Sequence, residues 1–145
     1  MSTIIKFFVA PDHDAAAAVV KVGPDGVFES LTFGNFDAEE ALIEWESIFT
    51  GQTFEDVVAA GVPEVVADPG DDEGPVVLAA SRALQDALTG AEEQRLVEVS
   101  RLWVAEWSAD GEVFDEGIAV WILSGLAGLA RAIGQKPEGL YCWMA

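Results

Sequence analysis

Several side chains on which familiar metal, redox and nucleophilic sites depend are scarce in this 145-residue sequence. It contains one cysteine, Cys142, and one histidine, His13. A single cysteine forms no internal disulfide and no Cys-x-x-Cys pair, and a single histidine cannot supply a His-Glu-x-x-His zinc helix. We therefore expect no metal site and no bound cofactor.

Glycine-rich phosphate loops and exposed serine nucleophiles are missing as well. Neither Gly-x-x-x-x-Gly-Lys nor Gly-x-Gly-x-x-Gly occurs, and Ser124 lies outside any Gly-x-Ser-x-Gly motif. Such motifs expose backbone N–H groups to phosphate or present a serine on a sharp turn. Their absence disfavours nucleotide-binding loops and serine hydrolases.

Positively charged residues are scarce as well. Against 26 Asp and Glu there are seven Lys and Arg, which gives a formal net charge of −19 at pH 7. Nucleic acids and anionic membranes are bound through Lys and Arg, so both are poor partners for this chain, whereas its field attracts basic proteins. The acidity is also explained by solubility alone. Abundant Ala, Val and Gly with only three Lys are typical of a GC-rich bacterial genome.

The negative charge is concentrated in one part of the chain. Between Val22 and Ser81, which we call the acidic segment, there are fourteen Asp and Glu and no Lys or Arg, so this segment carries −14 of the formal −19. The C-terminal half supplies most of the apolar residues. Any partner that binds through charge is expected at the acidic segment.

Long hydrophobic runs are also limited. The apolar run at residues 4–10 is short and interrupted by Lys6, unlike a signal peptide. The longest uncharged stretch, Gly117–Ala130, has fourteen residues, whereas a membrane-spanning helix needs about 20. We interpret this stretch as a buried core helix and expect a cytoplasmic protein.

Hydrophobic periodicity and turn residues predict a single α+β domain over residues 1–145. We expect a small, mostly antiparallel sheet that includes the N- and C-terminal strands and is covered by several helices. The first and last strands are expected to be neighbours. The predicted strands are Ile4–Val9, Val27–Phe33, Val65–Ala67, Val76–Leu78 and Leu140–Met144. The predicted helices follow Asp12, Asp37, Thr53, Ser81, Glu92 and Asp115.

The helix after Asp37 has the clearest pattern. Asp37 is expected to cap its N-terminus, and Gly51 is expected to end it. Its apolar residues recur at helical spacing and include Trp45. Together with the later pair of helices and the closing hydrophobic strand, this helix resembles the YfbM-like family of small bacterial proteins of unknown function. The resemblance covers the last two-thirds of the chain and implies a compact α+β domain without an assigned activity.

A helix and a loop supply the acidic side chains expected to form an interaction face. On the helix, two glutamates flank Trp45 and are expected near the boundary with solvent. Between the third and fourth strands, Asp68–Gly74 is expected to be an exposed acidic loop that departs from the calcium-loop pattern. The expected acidic face comprises Glu40, Glu44, Glu46, Asp71, Asp72 and Glu73.

Aromatic residues supply a second set of candidates. As possible pocket-lining residues we consider Trp45, Trp103, Trp107 and Tyr141, although aromatic residues at such spacing more often belong to a core. His13 lies between two aspartates, which suits a general base or simply a solvated helix N-terminus. Cys142 is expected to be a buried, inert thiol.

Two main functional hypotheses follow from these residues. The favoured one is a non-enzymatic interaction domain that binds another protein through an acidic surface, for which a basic protein is the matching partner. The alternative is a small enzyme or ligand-binding domain with a pocket of carboxylates and aromatics. An oligomer with purely structural contacts is a third hypothesis, and the sequence leaves the oligomeric state open.

Overall fold

A computed structural model describes residues 4–34, 36–68, 75–109, 115–133 and 138–145, with the backbone alone for residues 107–109. The strands are β1 (Ile4–Ala10), β2 (Ser30–Gly34), β3 (Glu64–Ala67), β4 (Val76–Ala79) and β5 (Gly139–Met144). The helices are α1 (His13–Ala17), α2 (Ala38–Thr50), α3 (Phe54–Ala59), α4 (Arg82–Gly90), α5 (Glu93–Ala109) and α6 (Glu116–Ile133). The predicted α+β class is confirmed.

The five strands form one antiparallel sheet in the order β2-β1-β5-β4-β3. The predicted pairing of the first and last strands is confirmed, with Phe7 opposite Cys142 and Phe8 opposite Tyr141. Successive side chains of a strand point to opposite faces, and both faces of β1 and β5 are largely apolar. These two strands are therefore stable at the centre of the sheet, where both faces are covered.

The two faces of the sheet are covered differently. On the face that we call the helical side, Phe7, Leu78 and Cys142 belong to a large core shared with α2, α4, α5 and α6. On the opposite face, the small side, Phe8 and Tyr141 belong to a second and smaller cluster. Helix α1 and parts of residues 18–28 complete that cluster.

Local capping chemistry explains where the helices begin and end. The Asp37 carboxylate accepts a hydrogen bond from the Glu40 N–H at 3.1 Å, and the Ser81 hydroxyl accepts one from the Leu84 N–H at 3.0 Å. Gly51 ends α2 with φ of 77°, a left-handed conformation that glycine adopts without a Cβ clash. Such N-caps each stabilise a helix by about 1 kcal/mol.

The prediction of a buried core helix is confirmed in part by α6. It packs against the sheet and against α4 and α5, so it is buried on more than one side. A remaining face is exposed, and Trp121 on that face has 63% of its surface accessible. By length and composition α6 is apolar enough to cross a membrane, a test that core helices also pass. Its packing in the core is compatible with a soluble protein.

The second strand begins later than expected. The sequence predicts a strand that begins at Val27, whereas β2 begins at Ser30. The N–H groups of Val27 and Phe28 both donate to the Pro24 carbonyl, which keeps this part of the chain in a turn. Phe28 nevertheless packs on the small side, stacked on Phe8 with ring centroids 5.7 Å apart.

Candidate functional site

The expected acidic face is only partly exposed. Glu40 lies in the first turn of α2 and is exposed. Glu44 and Glu46 are 8% and 3% exposed, so the prediction that they belong to a surface was wrong. The reason is that α2 packs against α5 and α4, and Glu44 and Glu46 each contact a residue of these neighbouring segments. Asp71, Asp72 and Glu73 lie outside the described residues.

Glu44 is a buried carboxyl group, and burial disfavours its charged form. It accepts a hydrogen bond from the Trp103 indole N–H at 3.4 Å. Burial, a hydrogen bond with the carboxyl group of Glu106 and the nearby charge of Glu40 raise its pKa to about 7. Around neutral pH, Glu44 therefore exchanges a proton, and Glu40, Glu44 and Glu106 form a compact carboxyl cluster.

Glu46 has a structural role at the start of the next helix. Its carboxylate accepts a hydrogen bond from the Ser81 hydroxyl, whose oxygen in turn accepts the Leu84 N–H. A carboxylate near a helix N-terminus is favoured by the helix dipole. Glu46 thus links α2 to the N-terminus of α4.

The cations of the described chain are largely engaged. Each of its four arginines contacts a carboxylate or backbone carbonyls. These contacts join Arg82 to Asp86, Arg95 to Glu98, Arg101 to Glu116, and Arg131 to the carbonyls of Thr89 and Ala91.

Four exposed carboxylates of the acidic segment contrast with these paired groups. They lie in the first turns of α2 and α3 and form no ion pair with a described residue. Helix dipoles stabilise them locally but leave their charges open to solvent. The four are Glu39, Glu40, Glu55 and Asp56.

The candidate pocket aromatics divide between core and cavity. Trp45 and Trp103 are fully buried with ring centroids 5.1 Å apart, so their assignment to a pocket was wrong. Large apolar rings on the inner faces of α2 and α5 fill the core between these helices and the sheet. The Trp107 side chain lies outside the described part of the structure. Tyr141 lines a cavity.

That cavity lies at the end of the sheet where β1 ends and β5 begins, and it has a volume of about 380 Å³. Its wall includes residues from both sides of the sheet, Ala80 and Leu140 from the helical side and Ala79 and Tyr141 from the small side. The start of α1, the end of β4 and the start of β5 form most of its wall, and the first turns of α4 complete it. Its lining residues are Pro11, Asp12, His13, Ala79, Ala80, Gln85, Glu138, Gly139, Leu140 and Tyr141.

A chain of hydrogen bonds connects three elements beside this cavity. The Nδ1 atom of His13 lies 2.8 Å from the Tyr141 hydroxyl, and its Nε2 atom lies 3.1 Å from the Glu64 carboxylate. The His13 ring also packs edge-on against the Tyr141 ring. Burial, followed by the negative charges of Asp12 and Glu64, raises the pKa of Tyr141, so its phenol stays protonated at neutral pH.

His13 stands out in the sequence as the single histidine, but its partners do not. His13 and Tyr141 are 128 residues apart, and only the pairing of β1 with β5 places them together. Glu64 is brought to the same place by β3, which contacts α1. The neighbouring Cys142 faces the helical side, where complete burial raises the pKa of its thiol. It is a poor nucleophile there.

Among the described residues, no three His, Cys, Asp or Glu side chains are arranged to hold a metal ion. Comparison of the chain with protein-family models, curated proteins and solved structures finds no match. The resemblance to the YfbM-like family therefore stays a prediction.

Proposed function

We propose that this protein is a non-enzymatic interaction domain of the cytoplasm that binds a basic protein through its acidic segment. The observation that carries the proposal is the contrast between engaged cations and open carboxylates. The arginines are occupied by neighbouring groups, whereas Glu39, Glu40 and Glu55 are exposed and have no cationic partner in the part of the chain that the structure describes. A partner's Lys and Arg side chains would supply the missing charges.

The physical basis is electrostatic steering followed by many weak contacts. A single exposed ion pair contributes between about 0 and 1 kcal/mol, so binding of this kind depends on several pairs acting together. Complementary fields chiefly accelerate association and select partners by charge. Screening extends over about 10 Å at 0.1 M salt, so the proposed complex weakens as salt is added.

The test compares two variants of equal net charge. One carries Glu39→Gln, Glu40→Gln and Glu55→Gln, and the other carries Asp14→Asn, Glu92→Gln and Glu93→Gln, which are exposed carboxylates outside the acidic segment. Titration calorimetry with an oligolysine peptide measures the affinity of each. We expect the first variant to lose about tenfold in affinity, which corresponds to three pairs of about 0.5 kcal/mol each.

The second variant is expected to bind nearly as well as the wild type. Equal losses in the two variants would show that net charge alone determines binding, and the proposal would then be abandoned. An affinity that does not change with salt would also contradict it.

A further inference from the structure

Strand β2 lies at an edge of the sheet, and no described strand pairs with its outer side. The direction of its backbone groups follows from the pairing of β1. Ile4 exchanges two hydrogen bonds of 2.9 Å with Ala145, so the backbone groups of Ile4 point away from β2. Those of the next residue, Ile5, point towards β2, where its partner Phe33 faces it. The N–H and C=O groups of Thr32 therefore point outwards, away from β1.

An exposed face of α6 lies beside this strand edge. The ring of Trp121 packs edge-on against Phe33 with ring centroids 5.0 Å apart, and 63% of the Trp121 surface remains accessible. Exposed residues recur here at helical spacing. We call them the α6 face, and they are Ile118, Trp121, Ser124 and Gly128. An exposed tryptophan beside an open strand edge is typical of an interaction surface.

Two glycines of α6 differ in what explains them. At Gly125 a Cβ would lie 2.8 Å from the Leu31 side chain, so the packing of α6 on β2 favours glycine there. At the exposed Gly128 a Cβ would have no described atom within 4 Å beyond the backbone of its own helix. Glycine inside a helix costs about 1 kcal/mol relative to alanine, and no described neighbour requires it at Gly128. Close approach of a second molecule accounts for it.

We propose that β2 and the α6 face form the interface of a homodimer. Neither carries a charged side chain, although the formal charge of the chain is −19. Two such chains repel each other where carboxylates meet, and an uncharged face lets them come into contact without that repulsion, whereas a basic partner gains nothing from it. An open strand edge is also self-complementary, because a two-fold axis places the strand antiparallel to its own copy.

Both parts of the interface agree with one two-fold axis. With the axis at Thr32, the outward N–H and C=O groups of Thr32 pair with those of the second copy, and the sheet continues from one chain into the other. Gly125 lies over Leu31, the neighbour of Thr32, so the same axis passes near the middle of the α6 face. The two α6 helices then run antiparallel. Trp121 of each copy lies opposite Gly128 of the other, because Gly125 is about midway between them.

The test measures the mass of the protein in solution, by sedimentation equilibrium between about 1 and 100 µM. One short strand and one helix face make a small interface, so association in the micromolar range is expected. Salt should strengthen the dimer because it screens the repulsion between the two chains, whereas it weakens the oligolysine complex of the proposed function. A monomer over this whole range, at both low and high salt, would overturn the proposal.

One variant addresses each part of the interface. Gly128→Leu fills the space that the second copy's Trp121 occupies, so it should weaken dimerisation about tenfold or more, while the monomer keeps its stability. Thr32→Pro removes an outward N–H group that β1 does not use, and it should weaken dimerisation similarly. The control is Val58→Ser, which changes an exposed apolar residue of α3 and should leave the dimer unchanged.

Circular dichroism and urea unfolding at a concentration where the protein is monomeric verify that each variant is folded. If Thr32→Pro does not fold, Gly128→Leu decides alone, because position 128 has open space around it. A dimer of wild-type strength in either folded variant would overturn the proposal, as would an equal loss in Val58→Ser.

This proposal and that of the acidic segment fail separately. Gly128→Leu should bind oligolysine as the wild type does. The variant with neutral Glu39, Glu40 and Glu55 should dimerise at least as well as the wild type, because it lowers the charge that the two copies bring together.

Discussion

The two sides of the sheet use the same central strands for different purposes. In β5, Cys142 points to the helical side, whereas its neighbours Tyr141 and Trp143 point to the small side. Four helices cover the helical side, and rings such as those of Trp45 and Trp103 fill the space between them. The small side is covered by the five-residue helix α1 and by irregular chain.

Polar atoms are treated differently on the two sides. On the small side, the Trp143 indole donates to the Val20 carbonyl at 2.8 Å, and the Tyr141 hydroxyl bonds to His13. On the helical side, the indole nitrogen of Trp45 is buried without a hydrogen-bond partner in the described structure. Other polar groups of the helical side are paired, as in the bond from Trp103 to Glu44, but its larger apolar cluster is the main source of stability, whereas the hydrogen bonds of the small side hold a thinner cover in place. Large losses of stability are therefore expected from changes on the helical side and local losses from changes on the small side.

The largest expected loss of stability follows from removing an aromatic ring on the helical side. Trp45→Ala deletes a fully buried side chain that contacts Phe7, Phe36 and Trp103, so it leaves a cavity and should destabilise the protein by about 4 kcal/mol. The matched control is Trp121→Ala, whose ring is mostly exposed and should cost less than about 1 kcal/mol. Urea unfolding measures both changes. Similar losses in the two variants would refute the view that packing around α2 dominates stability.

The next effect concerns the buried carboxyl group of the helical side. The pKa of Glu44 is about 7 in the folded protein, above its ordinary value of 4.5, so the folded state binds more protons than the unfolded state between these values. The free energy of unfolding therefore falls as pH rises through this window, by at most about 3 kcal/mol from this group. Glu44→Gln keeps a neutral hydrogen-bonding group there. It should make the protein more stable above pH 7.

The measurement is urea unfolding of the wild type and of Glu44→Gln across this pH range. The difference in unfolding free energy between the wild type and Glu44→Gln, followed against pH, gives the contribution of the Glu44 carboxyl group. The substitution Glu93→Gln at an exposed position serves as the control. A difference that does not change with pH, or one that grows in favour of the wild type as pH rises, would be incompatible with a buried carboxyl group of raised pKa.

Local chemistry made a large part of the fold predictable. The caps at Asp37 and Ser81 and the stop at Gly51 follow from side-chain and backbone properties within a few residues. The apolar character of the terminal strands, which is unfavourable at a sheet edge, indicated that they are neighbours, and the structure confirms their pairing. These features depend on short-range periodicity, which a single sequence displays directly.

The candidate sites depend on contacts that periodicity does not reveal. Glu44 and Glu46 precede and follow a buried tryptophan, a position that suits the edge of a half-exposed helix. They are buried because α4 and α5 both pack against α2, and each neighbour supplies a polar partner. Likewise, the meeting of His13 with Glu64 and Tyr141 requires the register of the whole sheet, which local pattern does not determine.

The smallest expected effect comes from removing a hydrogen bond that holds the chain covering the small side. Trp143→Phe keeps a six-membered aromatic ring but removes the pyrrole part of the indole and its hydrogen bond to Val20, and loss of this bond alone should cost about 1 kcal/mol. The loss should be local, because this bond holds the turn in which the N–H groups of Val22 and Gly23 donate to the Val19 carbonyl. Hydrogen exchange of those two amides should accelerate, while exchange in α2 rises only as far as the global loss requires. If exchange instead rises equally in α2 and in this turn, the two sides of the sheet unfold as one unit, and their proposed division of labour does not extend to dynamics.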